Sequence, residues 1–210
     1  MNRPTSLLAV LGLTTFLAAG VLGCGSDNVS SDEQAELAYL GLDQAVEKSL
    51  ALGFAGFNTA SSANISAQNG TGAATGALIV TGQVDQGSSS NKGMRLRVGM
   101  TDYSDGPVRL PEDGDKSTPY SISYATSTDT TAQPELTLSL RNFPTGTFTG
   151  TLIGAFHMQG ELEGDVALDL TMSGELESDG SGGTRRKAGT THVTGTAVSG
   201  EGEYHVDVTI

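Results

Sequence analysis

Between Leu78 and Met172 the regular apolar positions keep one parity. Leu78, Val80 and Val84, then Met94, Leu96, Val98 and Met100, then Tyr120, Ile122 and Tyr124 all stand on even numbers. So do Leu136, Leu138 and Leu140, then Phe148, Leu152, Phe156 and Met158, and finally Leu162, Val166, Leu168, Leu170 and Met172. The intervening odd positions, such as Arg95, Arg97, Glu161, Glu163, Asp165 and Asp169, are polar. A period of two places one set of side chains on a buried face and the other in water, as in an antiparallel meander with one wetted face. Two further strands read as Val193-Gly195-Ala197 and Tyr204-Val206-Val208-Ile210 on the buried face, giving about eight strands over residues 77–210.

A different period precedes them. In the segment 32–57, Leu42, Val46, Leu50 and Phe54 recur every four residues, Ser31 is a capping residue, and Asp32 and Glu33 suit the positive end of a helix dipole. This predicts one amphipathic helix whose Leu42, Val46, Leu50 and Phe54 face packs on the sheet. Residues 58–76, NTASSANISAQNGTGAATG, hold small polar side chains and little core material, and read as a crossing loop. Gly82, Gly150, Gly154, Gly164, Gly174 and Gly195 fall on inward positions, where a missing side chain permits curvature or close backbone approach. The expected fold is therefore mainly β: a curved antiparallel meander or partial barrel on one N-terminal helix, forming a single domain.

Hairpin registers follow from parity. A three-residue turn Gln159-Gly160-Glu161 would pair Met158 with Leu162 and His157 with Glu163. A turn around Ser199–Gly202 would pair Ala197 with Tyr204, Gly195 with Val206 and Thr196 with His205.

The first residues carry another kind of information. Arg3 and the apolar stretch 6–22, too short to span a bilayer securely and ending in small residues, read as a secretory leader. The stretch Val21-Leu22-Gly23-Cys24 resembles the bacterial lipobox, and Cys24 is the chain's single cysteine. The resemblance covers the leader only. It implies cleavage of a signal peptide at 1–23, acylation of Cys24, and attachment to a membrane through more than one acyl chain. Residues 24–31 would then be a flexible polar tether. In Gram-negative lipoproteins an Asp after the cysteine commonly marks inner-membrane retention; here Gly25 stands there, so the resemblance implies the outer membrane within the bacterial cell envelope.

Charge and chemistry narrow the picture further. A net charge of −13 repels phosphate backbones and argues against nucleic-acid binding. With one cysteine there is no internal disulfide, so packing must hold the domain. The histidines His157, His192 and His205 all fall on the wet parity, and the last two are separated by about 13 Å of strand, too far to share a metal. His157 is expected to meet Glu163 across its hairpin.

Acidic clusters, Asp102 to Asp115 and Glu175 to Asp179, lack the spacing of a calcium loop and read as solvated turns. No G-x-S-x-G, no phosphate loop and no aromatic platform for a glycan occurs. The triplet Arg185-Arg186-Lys187 stands out, at the edge of a long turn. A transmembrane barrel would fit the strand lengths but lacks aromatic girdles.

These observations point away from an enzyme, and no cofactor or metal is expected. The expected role is a membrane-anchored, non-catalytic binding or structural component of the envelope, with an envelope protein, glycan or lipid as partner. The alternative is a carrier that shields an acyl chain or other apolar ligand between helix and sheet, motivated by the inward glycines and by Met94, Met100, Met158 and Met172.

Overall fold

The computed structural model describes residues 28–210. Helix α1 spans Asp32–Thr59. Its start is set by Ser31, whose hydroxyl accepts the Gln34 N–H at 3.3 Å, while the Gln34 side chain reaches back to the Ser30 N–H at 2.8 Å. These bonds satisfy amide donors that a helix start otherwise leaves open. Asp32 and Glu33 occupy the first turn, where the dipole favours them.

Ten strands form one antiparallel sheet: β1 (Asn64–Thr71), β2 (Thr75–Val84), β3 (Lys92–Ser104), β4 (Ile122–Ala125), β5 (Glu135–Arg141), β6 (Thr147–Gly160), β7 (Gly164–Ser178), β8 (Thr184–Arg186), β9 (His192–Val198) and β10 (Glu203–Thr209). The main path runs β1-β2-β3-β4-β6-β7-β9-β10, with β8 attached to β7. β1 and β10 do not pair with each other, so the sheet is an open, curled surface and not a closed barrel.

Between β3 and β6 a single strand position is filled by two short strands in series. β4 pairs with the end of β6 through Ile122–Gly160 and Ala125–His157, and β5 pairs with its beginning through Glu135–Ile153 and Arg141–Thr147. The chain leaves the sheet at Thr126 and returns at Pro134. Both exits are fastened to β3, by Thr126 N–H to Met100 O at 3.1 Å and Val98 N–H to Pro134 O at 3.0 Å. Pro134 comes so close to β6 that a Cβ on Gly154 would stand 2.5 Å from Pro134 Cα, and the glycine's φ of 155° belongs to this crossing.

The parity is the core. The regular even apolar positions from Leu78 to Met172 are buried, except Tyr120, which is partly so, and with Val193, Ala197, Val206 and Val208 they form one apolar cluster with α1. The last hairpin has the expected register: Ala197 opposite Tyr204, Gly195 opposite Val206 and Thr196 opposite His205. The β6–β7 hairpin differs from expectation by two residues, with Met158 opposite Gly164 and His157 opposite Asp165. Gln159 and Gly160 are already extended against β4, and Glu161 exchanges hydrogen bonds with Ser121, through its N–H at 3.2 Å and its carboxylate at 2.8 Å. They cannot also make a tight turn, so Leu162 folds inward and the connection lengthens. A shift of two leaves every side chain on its own face.

Two other expectations need correction. Residues 58–76 are not a loop: helix α1 continues to Thr59, and β1 and the start of β2 lie inside the tract. β1 carries only one buried apolar side chain, Ile65, because α1 passes directly over it; Gly56 of the helix sits on Ile65, and Leu52 on Gly70. Small residues here are what the close approach requires, and they erase the alternation that marks the other strands. Residues 28–31 are not a free tether either. Val29 is fully buried, its carbonyl accepts the Ser199 hydroxyl at 2.6 Å, and Asn28 packs beside Gly164 and Gly200. The signal peptide, Cys24 and the remainder of the expected tether lie outside the described residues.

Helix α1 crosses the open side of the sheet from one edge to the other. At β10 the Asp32 carboxylate accepts the His205 N–H at 2.8 Å and Glu36 that of Asp207 at 3.4 Å. At the β1 side Lys48 donates to Thr71 O at 2.9 Å. Midway, a Cβ on Gly41 would lie 2.2 Å from the hydroxyl oxygen of Tyr124, which donates to Ala38 O at 2.9 Å. Gly41→Ala is therefore expected to lower stability by about 1–3 kcal/mol through overpacking. Tyr124→Phe alone should cost about 0.5–1.5 kcal/mol for the lost hydrogen bond. In the double variant the closest clash is gone, so urea unfolding should show a loss smaller than the sum of the two.

Candidate functional site

The helix–sheet interface, the sequence-level candidate for a ligand space, is filled. Leu42, Val46 and Leu50 are 1%, 3% and 2% exposed. Phe54 is half-buried and meets Phe143 at a ring distance of 5.3 Å. Beside Leu42, Val46, Leu136 and Phe156 remains a void of about 10 Å³, room for roughly one water. The Ser49 hydroxyl borders it, fully buried and with no protein partner. An acyl chain would fit between helix and sheet only if α1 moved off the sheet.

A cleft of about 490 Å³ lies where α1 meets the β8 hairpin and is lined by Asp43, Glu47, Glu177, Arg185, Arg186 and Lys187 among others. It gathers the basic triplet. Alternation along β8 and the residue that follows it divides the three. Arg185 and Lys187 turn outward and pair with β7 acids, Arg185 with Glu177 at 2.8 Å and Lys187 with Glu175 at 2.5 Å. Arg186 turns toward the helix, with only 8% of its side chain exposed. Its guanidinium binds Asp43 Oδ1 at 2.7 Å, Asp43 O at 3.0 Å and Glu47 Oε2 at 2.8 Å.

The Glu47 carboxylate also accepts the Arg186 backbone N–H at 3.2 Å, and the buried Tyr39 hydroxyl donates to Asp43 at 3.1 Å. Burial alone would weaken the Arg186 proton; the hydrogen bond and charge of Asp43, with Glu47 behind them, reverse this and hold it above its ordinary value. Burial and the Asp43 carboxylate together push the Tyr39 hydroxyl up. With Nε, Nη1 and Nη2 of Arg186 each bonded to the helix, the cluster is built as a clasp between α1 and the sheet.

A second polar clasp joins the other side of the helix. Lys48 bonds Asp105, which also accepts the Tyr103 hydroxyl at 2.5 Å and the Ala73 N–H at 2.9 Å. Burial acts to raise the Asp105 carboxyl, and the bonds from Lys48, Tyr103 and Ala73 outweigh it, leaving it below the usual carboxylate range.

The remaining sequence candidates stay apart. His157 faces Asp165 at 2.9 Å instead of Glu163, and His192 reaches Asp207 at 2.9 Å; both are exposed cross-strand pairs. His205, on the edge strand β10, belongs to neither pair and contributes its N–H to Asp32. Asp179 accepts the N–H groups of Ser181 and Gly183, each at 2.8 Å, which closes the β7–β8 turn. Among the described residues no group of three or more His, Cys, Asp or Glu side chains is placed to hold a metal ion. No described helix is long and apolar enough to cross a membrane.

The outward face of β5, β6, β7 and β9 carries a row of hydroxyls, Thr137, Thr151, Thr171 and Thr194, directly opposite one another across four strands. They line a shallow groove of about 450 Å³. This row is invisible to a reading that follows apolar residues alone, although the Thr and Ser residues recurring at outward positions of β5, β6, β7 and β9 are present in the sequence. No family model, curated protein or solved structure matches the chain.

Arg186→Leu leaves Asp43 and Glu47 half-buried without their cation and is expected to cost about 3–5 kcal/mol. Lys187→Ala removes an exposed, solvent-screened pair and should change stability far less than Arg186→Leu. Chemical denaturation of the two variants distinguishes a clasp from a surface charge cluster, since equal effects would contradict it. Ser49→Ala removes a buried hydroxyl without a protein partner and adds helix propensity, so thermal unfolding should rise, by about 1 kcal/mol in stability. A fall would mean that the hydroxyl has a partner.

Proposed function

We propose that this chain is a lipid-anchored protein of the bacterial envelope whose folded domain is a non-catalytic binding or structural module. The observation that carries the reading is the lipobox-like Val21-Leu22-Gly23-Cys24, in which the chain's single cysteine ends an apolar leader. Such a leader directs export and its cysteine receives acyl chains, and two or more chains hold a protein on a bilayer stably. Gly25 after the cysteine favours the outer membrane over retention at the inner one.

What supports a non-catalytic role is how the domain uses its reactive groups. Arg186 is enclosed by Asp43 and Glu47, Asp105 by Lys48 and Tyr103, and His157 and His192 each pair with one aspartate. Each arrangement ties two structural elements together. The outward sheet face and its loops are the surfaces left for a partner. A carrier role would require α1 to swing away from a sheet that it now covers.

The test is the amino terminus of the mature protein. Expressed in a Gram-negative host, the chain should be recovered with the outer membrane, and mass spectrometry should show Cys24 as the first residue with acyl modification. Cys24→Ser should abolish acyl-chain labelling and release the protein from the membrane fraction. An unmodified Cys24, or membrane recovery unaffected by the substitution, would overturn the reading.

A further inference from the structure

The folded domain begins sooner after Cys24 than the polar sequence suggests. Asn28 is already seated: its side chain lies 3.2 Å from where a Cβ on Gly164 would stand and 3.4 Å from the corresponding point on Gly200. Val29 follows, fully buried and bonded to Ser199, and α1 starts at Asp32 with a bond to His205. Four residue steps separate Asn28 from Cys24, and at about 3.3–3.6 Å per residue they reach at most about 14 Å.

We infer that the rim of the sheet around Asn28, formed by the β6–β7 turn, the β9–β10 turn and the first turn of α1, is the membrane-facing end of the protein, apposed to lipid headgroups. The inference rests on acylation of Cys24. With acyl chains in the bilayer, a reach of about 14 Å is small against the length of the domain; β7 alone carries the chain about 45 Å from Gly164 to Ser178 at roughly 3.3 Å per residue. The β7–β8 turn and the Arg186 cleft at the far end of β7 are then held away from the surface. Charge does not draw the rim down, since Glu33, Glu161, Glu163 and Glu203 are all exposed on it and repel anionic headgroups. Chain length does. The orientation leaves the outward sheet face and the far loops open to partners in the envelope space.

The acylated thiol of Cys24 leaves an introduced cysteine as the only reactive one, which makes a direct test available. The full lipidated chain is prepared as Glu163→Cys, on the β6–β7 turn, and as Ser181→Cys, on the β7–β8 turn, both exposed positions. Each is labelled with a fluorophore and placed in vesicles carrying a headgroup-attached quencher. The Glu163→Cys label is expected to lose most of its emission and the Ser181→Cys label little. A Gly/Ser spacer of about ten residues between Ser26 and Asp27 should erase the difference, because its end-to-end distance of roughly 16–19 Å frees the domain to turn.

Equal or reversed quenching in chains that float with the vesicles overturns the orientation while leaving the anchor intact. A difference that survives the spacer overturns tether length as its cause. Chains that fail to float overturn the anchor reading, and the orientation falls with it.

Discussion

A sheet that stops short of closing exposes the backbone donors and acceptors of two edge strands, and a row of unpaired groups is a template for adding another strand. In this protein one helix covers both edges. Asp32 and Glu36, one turn apart on α1, accept the outward N–H groups of His205 and Asp207 on β10, and sixteen residues after Asp32 the side chain of Lys48 takes the Thr71 carbonyl at the end of β1. The helix thereby does for the sheet what another pair of strands does in a closed barrel. Its charge pattern is set by this task, with acids where the strand offers N–H and a lysine where it offers C=O.

The same placement dictates the composition of the helix. To reach both edges α1 must lie deep in the concavity, and depth is gained by removing side chains from its underside. Gly41 meets the Tyr124 ring, Gly53 meets Met94 and Gly56 meets Ile65, each with space for a hydrogen and none for a methyl group. Large side chains come from the sheet instead: Tyr124 and Phe156 meet edge to face at 6.3 Å beneath the helix. Glycine inside a helix costs about 1 kcal/mol relative to alanine, a cost here offset by the hydrogen bonds and burial that close approach permits. The two polar clasps, Arg186 with Asp43 and Glu47 and Lys48 with Asp105, fix the helix from its flanks, where depth alone would leave it free to slide.

The strand pattern was legible because each inward position is covered by apolar neighbours and each outward one by water, which makes parity a direct record of burial. It failed where something other than a side chain does the work. β1 is held by backbone pairing to β2 and by a helix resting on its small residues, so NISAQNGT shows no alternation. β8 is held by the ion pairs of Arg185 and Arg186, so its three residues read as a charged turn. The β6–β7 connection departs from the register its local sequence favours because the fate of Gln159 and Gly160 depends on β4, a strand nearly forty residues earlier, which local turn chemistry does not contain. The role of Arg186 was hidden for the same reason: its acids stand on the helix, about 140 residues away.

Sequence distance also explains why the anchor and the domain have to be considered together. Val29 and Asn28 look like linker by composition, yet the Ser199 hydroxyl and two glycine-lined turns make a seat for them. A seat at that point fixes where the polypeptide enters the fold, and the entry point lies beside the start of the helix that covers both sheet edges. A pull on the amino terminus would therefore act first on Val29 and on the Asp32 and Glu36 bonds to β10, the contacts that keep that edge covered. Anchoring and edge protection meet in the same few residues, and a short connection there limits how far the domain can swing without straining the helix that holds it shut.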